Sequence, residues 1–373
     1  MAPRLCFVCL RAYGYFNPSV EFHGGGAERQ IHLLSTALAE DYDVHVVVGD
    51  FGQPKTEVRD GVTLHRAYPL HPRKNALQPA KHLGLLWRAM RRSGADIFIS
   101  RQSPRKAGFV YALARSLRSK FLYHLANDSY LGAEPASRSQ PVQWLYGRAV
   151  RHADVVVAQT PKQQSGIKDK YDVAATVIPN GYPPADNRPE FEARDGFLWV
   201  GRLDEEQKRP DLFLDLAEAL PQLSFRIAGP TRDTEYADTV IDRAQSLSNV
   251  QYLGLLDPEE IHDQYRTAIA LVSTSAYEGF PNTFLEAWRQ GTPILSLTVD
   301  PTRFSNDSEG LIGAVESVGS LAEQCEALVS NTNRWHKLSL QSLRCFEEQY
   351  TIEAVANRYS SIIDDCIEGF TTT

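Results

Sequence analysis

Short apolar segments alternate with helix-forming segments along both halves of this 373-residue chain. Arg4 to Leu10, Ile97 to Ser100 and Ile269 to Ser273 are short, nearly continuous apolar runs, which fit strands that are buried on both faces. Parallel strands need a crossover connection, which is usually a helix. The alternation therefore predicts an α/β fold built from doubly wound, parallel sheets.

One segment interrupts the alternation. Asn180 to Asp195 is rich in proline, glycine and charge and has little hydrophobic periodicity, so it is interpreted as a linker. The chain is long enough for two cores of ordinary size. We therefore predict two Rossmann-like domains facing across a ligand cleft, an N-terminal domain of residues 1–180 and a C-terminal domain of residues 181–351.

Membrane-spanning segments, a signal peptide and a disulfide framework are all absent from the sequence patterns, and this bears on the cellular location. No apolar run approaches the roughly 20 residues that span a bilayer, and the first ten residues fit a strand better than a signal peptide. The five cysteines are odd in number and scattered, which favours a reducing compartment. Cys6 and Cys9 fall within a predicted buried strand, so we expect them to be packing residues. These features predict a cytoplasmic protein.

Charge is distributed unevenly. Residues 66–120 contain thirteen lysines and arginines and one acid, Asp96, which is a net charge of +12 in a chain whose net charge is −7. A basic field of this size suggests an anionic partner surface, and anionic lipid at a membrane face is the preferred one. Solvated helix faces remain the alternative. Nucleic acid is disfavoured because no nucleic-acid-binding module is visible.

Ser273 to Leu297 carries the strongest local signal. It is interpreted as a strand end, a Gly-Pro turn, a short helix with Pro281 in its first turn, and a new strand. A helix that begins at the carboxyl end of a strand favours an anionic ligand. Glu278 and Glu286 frame the turn, and ionised carboxylates accept hydrogen bonds from hydroxyl groups. Phosphate with polyol suggests a sugar nucleotide, although a solvated loop acid and a surface helix residue would give the same pattern.

Other candidate ligand residues also follow predicted strands. Arg202 and Lys208 could clamp a diphosphate, and Gly229 and Gly254 end the next two strands. Gly25 and Gly26 lie between a strand and a helix, where backbone can approach a phosphate or sugar. This loop lacks the G-x-G-x-x-G fingerprint of dinucleotide-binding proteins, which disfavours a dinucleotide-dependent oxidoreductase.

Several motifs recur in order over most of the chain. They are G-G-A-E (Gly25 to Glu28), I-P-N-G (Ile178 to Gly181), V-G-R-L…K-R-P-D (Val200 to Asp211), I-A-G (Ile227 to Gly229), Y-L-G (Tyr252 to Gly254) and S-x-x-E-G-F-P-N-T-F-L-E-A-W-x-x-G-T-P (Ser275 to Pro293). Together they resemble the retaining glycosyltransferases of family 4, which have the GT-B fold. In that fold the last helix, here Ile352 to Glu368, crosses back to the N-terminal domain.

The resemblance implies roles for individual residues. Arg202 and Lys208 match the pair that binds the donor diphosphate, Glu278 lies near the transferred sugar, and Glu286 holds the ribose hydroxyls. His124 matches a strand-end histidine that contacts the donor sugar or positions the acceptor, although a buried core histidine is the alternative. The remaining donor-binding residues that it implies are Gly25, Gly26, Gly229, Gly279, Phe280, Pro281, Asn282 and Thr283.

The resemblance also implies a chemistry. A sugar would pass from a nucleotide-diphosphate sugar to a glycan or lipid-linked acceptor with its anomeric configuration retained, as in retaining hexosyltransferases. No D-x-D motif stands at a plausible strand end, so neither a metal nor another cofactor is expected. A non-catalytic sugar-nucleotide or glycan-binding protein of the same fold is the alternative. The sugar, the base and the acceptor are not specified by these motifs.

Overall fold

The computed structural model describes residues 2–20, 25–70, 78–132, 140–186, 188–231, 235–307 and 309–368. The chain forms two compact units, of which the first comprises Met1–Pro183 with Ile352–Thr373 and the second comprises Pro184–Thr351. Gly24 of the glycine-rich loop, and Arg73 and Lys74 of the basic region, lie outside the described residues.

The first unit is an α/β layer structure around one sheet. Its strands are β1 (Arg4–Val8), β2 (Asp43–Asp50), β3 (Thr56–Arg59), β4 (Val62–Pro69), β5 (Ile97–Ser100), β6 (Lys120–His124), β7 (Val155–Ala158) and β8 (Thr176–Val177). Its helices up to the linker are α1 (Tyr13–Phe16), α2 (Gly26–Leu38), α3 (Gln78–Ser93), α4 (Pro104–Ser116), α5 (Gln140–Arg151) and α6 (Pro161–Tyr171).

The strands of the first sheet lie in the order β3-β4-β2-β1-β5-β6-β7-β8. The chain leaves β1 toward β2 and later returns to β5 on the other side of β1, so the topological switch point lies between β1 and β5. β3 pairs antiparallel with β4, so the prediction of a purely parallel sheet is wrong at this edge. Asp60 and Gly61 join the two strands at positive φ, which is the Asp-Gly hairpin signal that sequence reasoning missed.

The second unit has a smaller, wholly parallel sheet. Its strands are β9 (Phe197–Val200), β10 (Phe225–Ala228), β11 (Val250–Gly254), β12 (Ala270–Ser273) and β13 (Ile294–Ser296). Its helices are α7 (Pro210–Ala219), α8 (Glu235–Ser246), α9 (Pro258–Thr267), α10 (Asn282–Trp288), α11 (Val318–Ser330) and α12 (Thr332–Gln349). The strand order is β11-β10-β9-β12-β13, and the switch point therefore lies between β9 and β12.

The last helix, α13 (Ile352–Glu368), belongs to the first unit. Val355, Tyr359 and Ile363 are buried on one face at helical spacing. Gly181 lies so close to this face that a Cβ atom there would stand 2.9 Å from Val355 Cγ2. The close approach explains why a residue without a side chain precedes the unit boundary.

The predicted linker is ordered at both ends. Tyr182 is buried in the first unit. Arg194 is buried in the second unit, where it donates to the carbonyl oxygens of Ala268 at 3.0 Å and Gln290 at 2.7 Å. The boundary between the two units, after Pro183, falls within Asn180 to Asp195, and the two ends of this segment belong to the first and the second unit respectively.

Two features bear on the predicted cellular setting. Cys6 and Cys9 are buried, as predicted, and burial raises the pKa of each thiol to about 12. Within the described ranges, no helix is both long enough and apolar enough to cross a bilayer.

Candidate functional site

Polar side chains gather at the switch point of the second sheet. Arg202 follows β9 by two residues, and Glu278 follows β12 by five. In open parallel sheets, ligands bind outside the carboxyl ends of the strands at this position. The fold therefore brings together two residues that are 76 positions apart in sequence at a location suited to a ligand.

One network connects these side chains. The Lys208 ammonium forms an ion pair with Glu278, and the two side chains are only 16% and 12% exposed. Gln207 Nε2 donates to the other carboxylate oxygen of Glu278 at 3.4 Å, and Arg202 Nη2 donates to Gln207 Oε1 at 3.3 Å. The structure thus unites Arg202, Lys208 and Glu278. It adds Gln207, whose place directly before Lys208 is the only signal for it in the sequence.

Thr274 fixes the backbone that carries this network. Its hydroxyl group lies 2.8 Å from the carbonyl oxygens of Lys208 and Arg209 and accepts from Trp199 Nε1 at 2.9 Å. Arg209 in turn donates to the Thr274 carbonyl oxygen at 2.7 Å. Thr274 is fully buried, so this tie between the loop after β9 and the loop after β12 is shielded from water. Sequence reasoning missed Thr274 because no local pattern marks a contact of such range.

The turn that follows differs in detail from the expectation. Pro281 is the N-cap of α10 rather than a residue of its first turn, and the helix has seven residues. The Phe280 ring is buried against Phe304, with centroids 5.0 Å apart, so its side chain is a packing element. Asn282, Thr283 and Glu286 are half-buried on α10, and Gly279 is half-buried in the turn.

Gly229 has a structural reason to be glycine. Its φ is +153°, and a Cβ atom there would lie 1.7 Å from the Gly201 carbonyl oxygen. Its N–H donates to the Gly254 carbonyl oxygen at 2.8 Å. The ends of β9, β10 and β11 therefore approach too closely for any side chain at this position.

The candidate residues of the first unit lie at the carboxyl end of its own sheet. Gly25 is the N-cap of α2 with an ordinary φ of −86°, and its N–H donates to Glu28 Oε2 at 2.9 Å. Gly26 is the first residue of that helix. His124 ends β6 and is 1% exposed. Its Nδ1 is hydrogen-bonded to the Tyr359 hydroxyl, and its Nε2 has no partner among the residues described.

Burial controls the protonation of His124. Desolvation lowers the pKa of its imidazole well below the usual value, and the nearby Arg101 charge lowers it further. The ring is therefore neutral at pH 7 and has one nitrogen available to accept or donate a hydrogen bond.

The basic region is less uniform than its composition suggested. Arg101 is buried, Arg92 donates to the Arg66 carbonyl oxygen, and Arg115 pairs with Asp154 at 2.9 Å. Other cations of the two helices α3 and α4 are exposed, namely Lys81, Arg88, Arg91, Arg105 and Lys106. Only part of the predicted positive field is therefore available to a partner.

The second-unit network offers two chemical functions side by side. An ammonium and a guanidinium can bind the oxygens of a phosphate, and a carboxylate can accept hydrogen bonds from hydroxyl groups. Because Lys208 is paired with Glu278, an anion that binds here would compete with this carboxylate for the ammonium.

Two family models match successive parts of the chain. A model described as Glycosyltransferase Family 4 matches residues 24–186, and one described as Glycosyl transferases group 1 matches residues 194–331. A mannosylfructose-phosphate synthase of Agrobacterium fabrum is 32% identical over 170 residues, which is 38% of this chain and 37% of that protein. The chain spans between 37% and 59% of the length of the curated relatives that it matches.

Two solved structures share the fold over nearly the whole chain. Sucrose-phosphate synthase from Thermosynechococcus elongatus superimposes with a TM-score of 0.76 at 18% identity, covering 98% of this chain and all of that one. Anabaena HepE, solved in complex with UDP, gives a TM-score of 0.72 at 14% identity, covering 97% of this chain and all of that one. At these identities the likeness establishes the two-domain GT-B fold.

Proposed function

Because the chain belongs to glycosyltransferase family 4, we propose that it transfers a sugar, of the hexosyl type, from a nucleoside-diphosphate sugar to a glycan or lipid-linked acceptor. The observation that carries this proposal is the half-buried network of Arg202, Gln207, Lys208 and Glu278 at the switch point of the second sheet. It combines cations for a diphosphate with a carboxylate for sugar hydroxyls.

The mechanism that we propose is a front-face displacement with retention. Glycosyl transfer places negative charge on the departing diphosphate, and preorganised cations stabilise that charge most where water is excluded. Lys208 and Arg202 would supply this stabilisation without a metal ion. The acceptor hydroxyl would lose its proton to the leaving phosphate, while Glu278 would hold the transferred sugar.

A thermal-shift panel tests donor binding. UDP is tested first, because one protein of the same fold was solved with it, followed by GDP, ADP and dTDP, each with and without magnesium. A nucleotide at 100 times its Kd should add about 2.7 kcal/mol to the free energy of unfolding. Lys208→Ala should abolish the shift, whereas Lys337→Ala, an exposed lysine of the same unit, should leave it unchanged. No shift with any nucleotide would contradict the proposal.

Glu278→Gln separates binding from transfer. Removing the carboxylate frees the Lys208 ammonium, so nucleoside-diphosphate affinity should be retained or increased. Transfer of labelled sugar should be lost because the amide cannot accept hydroxyl hydrogen bonds at both atoms. Wild-type protein that binds nucleotide sugar and transfers nothing would favour a non-catalytic binding protein. The anomeric proton signal of the product, read by NMR, tests retention, and activity in excess chelator tests metal independence.

The exposed basic residues of α3 and α4 suggest where the protein works. We propose that they rest against an anionic lipid surface on the cytoplasmic face of a membrane. Wild-type protein should sediment with vesicles that contain phosphatidylserine and not with pure phosphatidylcholine. Lys81→Glu combined with Arg88→Glu should reduce this binding, and Lys337→Glu should not. Equal sedimentation with both vesicle types would refute the membrane proposal.

A further inference from the structure

A polar cavity lies in the first unit, at the switch point of its sheet. It has a volume of about 170 Å³ and lies beside the carboxyl ends of β1, β5 and β6. Residues that line it include Arg11, Glu28, Arg101, Ser103 and Lys106. An engineered cavity of about 150 Å³ holds benzene, so a tetrahedral group of a ligand fits this space.

The charge of the lining is strongly unbalanced. Among the described residues that line the cavity, Arg11, Arg101 and Lys106 are cationic and Glu28 carries a carboxylate. Glu28 Oε2 already accepts a hydrogen bond from the Gly25 N–H. An anionic ligand would complement this lining.

Arg101 is a buried cation of this lining. It is only 7% exposed, its Nη2 donates to the neutral Asn180 side chain, and its Nε has no partner among the residues described. Within the described part of the chain, no carboxylate lies at ion-pair distance from it. An unpaired charge in the interior is expensive, so such groups normally meet an anion.

Two helices direct their N-termini toward the same space. Ala27 and Glu28 of the first turn of α2 line the cavity, as do Ser103 and Lys106 at the start of α4. Ser103, the N-cap of α4, makes no side-chain capping bond. N–H groups at helix starts carry partial positive charge and are common phosphate ligands.

From these observations we infer that the cavity binds a phosphoryl group of the sugar acceptor. The inference rests on the proposed function, because it assigns the donor diphosphate to Lys208 and Arg202 of the second unit and a different anion to the first. Arg101 Nε and Lys106 Nζ would donate to the phosphoryl oxygens, and the helix starts would add backbone donors. The acceptor class is then a phosphorylated sugar, polyol or lipid.

Inorganic phosphate is the probe for this site. Calorimetric titration of the full chain should give one specific phosphate site, and Lys106→Gln should weaken it about tenfold or more, since a hydrogen bond to a charged group is removed. Arg101→Lys, which keeps the buried charge but lacks Nε, should also weaken it. Lys55→Gln makes the same charge change on an exposed lysine of the same unit that does not line the cavity, and it should leave the affinity unchanged.

Repeating the titration with saturating nucleoside diphosphate distinguishes the sources of the anion. Unchanged phosphate affinity supports an acceptor group, whereas competition would assign the cavity to donor phosphates and overturn the inference. No phosphate binding, or equal weakening by Lys55→Gln, would also overturn it. The proposed function is judged separately by the effect of Lys208→Ala on nucleotide binding, so the two failures are distinguishable.

Discussion

Replacing Thr274 by valine should damage the second unit more than its small change in shape suggests. Valine keeps the volume and branching of threonine but removes the hydroxyl group that bridges Trp199 Nε1 to the carbonyl oxygens of Lys208 and Arg209. All of these contacts surround a fully buried side chain, so water cannot replace the lost partner without opening the loop.

The expected magnitude follows from the groups left behind. A buried donor without a partner costs about 1–3 kcal/mol, and the carbonyl oxygens lose a bond worth about 1 kcal/mol. Thr274→Val should therefore lower the free energy of unfolding by roughly 2–4 kcal/mol. Thr274→Ser is the matched control. It keeps the hydroxyl group and loses one methyl group, which costs about 1 kcal/mol.

Urea denaturation of both variants measures the difference, with nucleotide-induced thermal shift as a second readout. Because Thr274 holds the Lys208 backbone, Thr274→Val should also weaken nucleoside-diphosphate binding by about tenfold, which is 1.4 kcal/mol. Thr274→Ser should bind as the wild type does. If the valine variant is as stable as the serine variant, shape rather than hydrogen bonding maintains this loop and the reasoning is refuted.

Three further outcomes can be checked directly. Gly229→Ala should lower the free energy of unfolding, measured by urea denaturation, by at least about 3 kcal/mol, because the new Cβ would lie 1.7 Å from a backbone oxygen. Gly84→Ala, in the exposed part of α3, should be neutral or stabilising. His65 is buried, and burial lowers its pKa to about 4. Because the unfolded chain then binds a proton more readily than the folded chain, the free energy of unfolding is highest above about pH 6.5 and falls as the pH drops toward 4. His65→Gln should remove about 2 kcal/mol of the change in the free energy of unfolding between pH 7 and pH 5, as urea denaturation at both pH values would reveal. The Cys6 thiol, with its pKa raised to about 12, should resist alkylation at pH 8 in folded protein and react after unfolding, and mass spectrometry that finds it modified in the folded state would contradict its burial.

Much of the fold was accessible from local patterns. Strands such as β5 and β12 are continuous apolar runs bounded by turn residues, and α2 and α7 have apolar faces at helical spacing. Family motifs then indicated the GT-B fold, which the solved structures confirm. The missed hairpin of β3 and β4 shows the limit, because its polar first strand resembles a loop unless the Asp-Gly turn is recognised.

The residues of the candidate site also differ in whether the sequence alone could predict them. Arg202, Lys208 and Glu278 were recognisable because their motifs have fixed spacing on each side of a strand end. Gln207 and Thr274 were not, because their importance lies in hydrogen bonds across about 65 to 71 positions of sequence. Gly229 was predicted to contact the ligand, and the structure gives this glycine a separate backbone reason that depends on Gly201.

By itself the sequence determined the two-part α/β architecture, the family and the cations and carboxylates available for chemistry, since these depend on residue type and short-range spacing. Tertiary structure decided which of these groups meet. It paired Lys208 with Glu278, buried Arg101 beside the carboxyl end of β5 and returned the last helix to the first unit. The physical reason is that parallel strands gather their carboxyl ends at one edge, so residues distant in the chain become neighbours only after the sheet has formed.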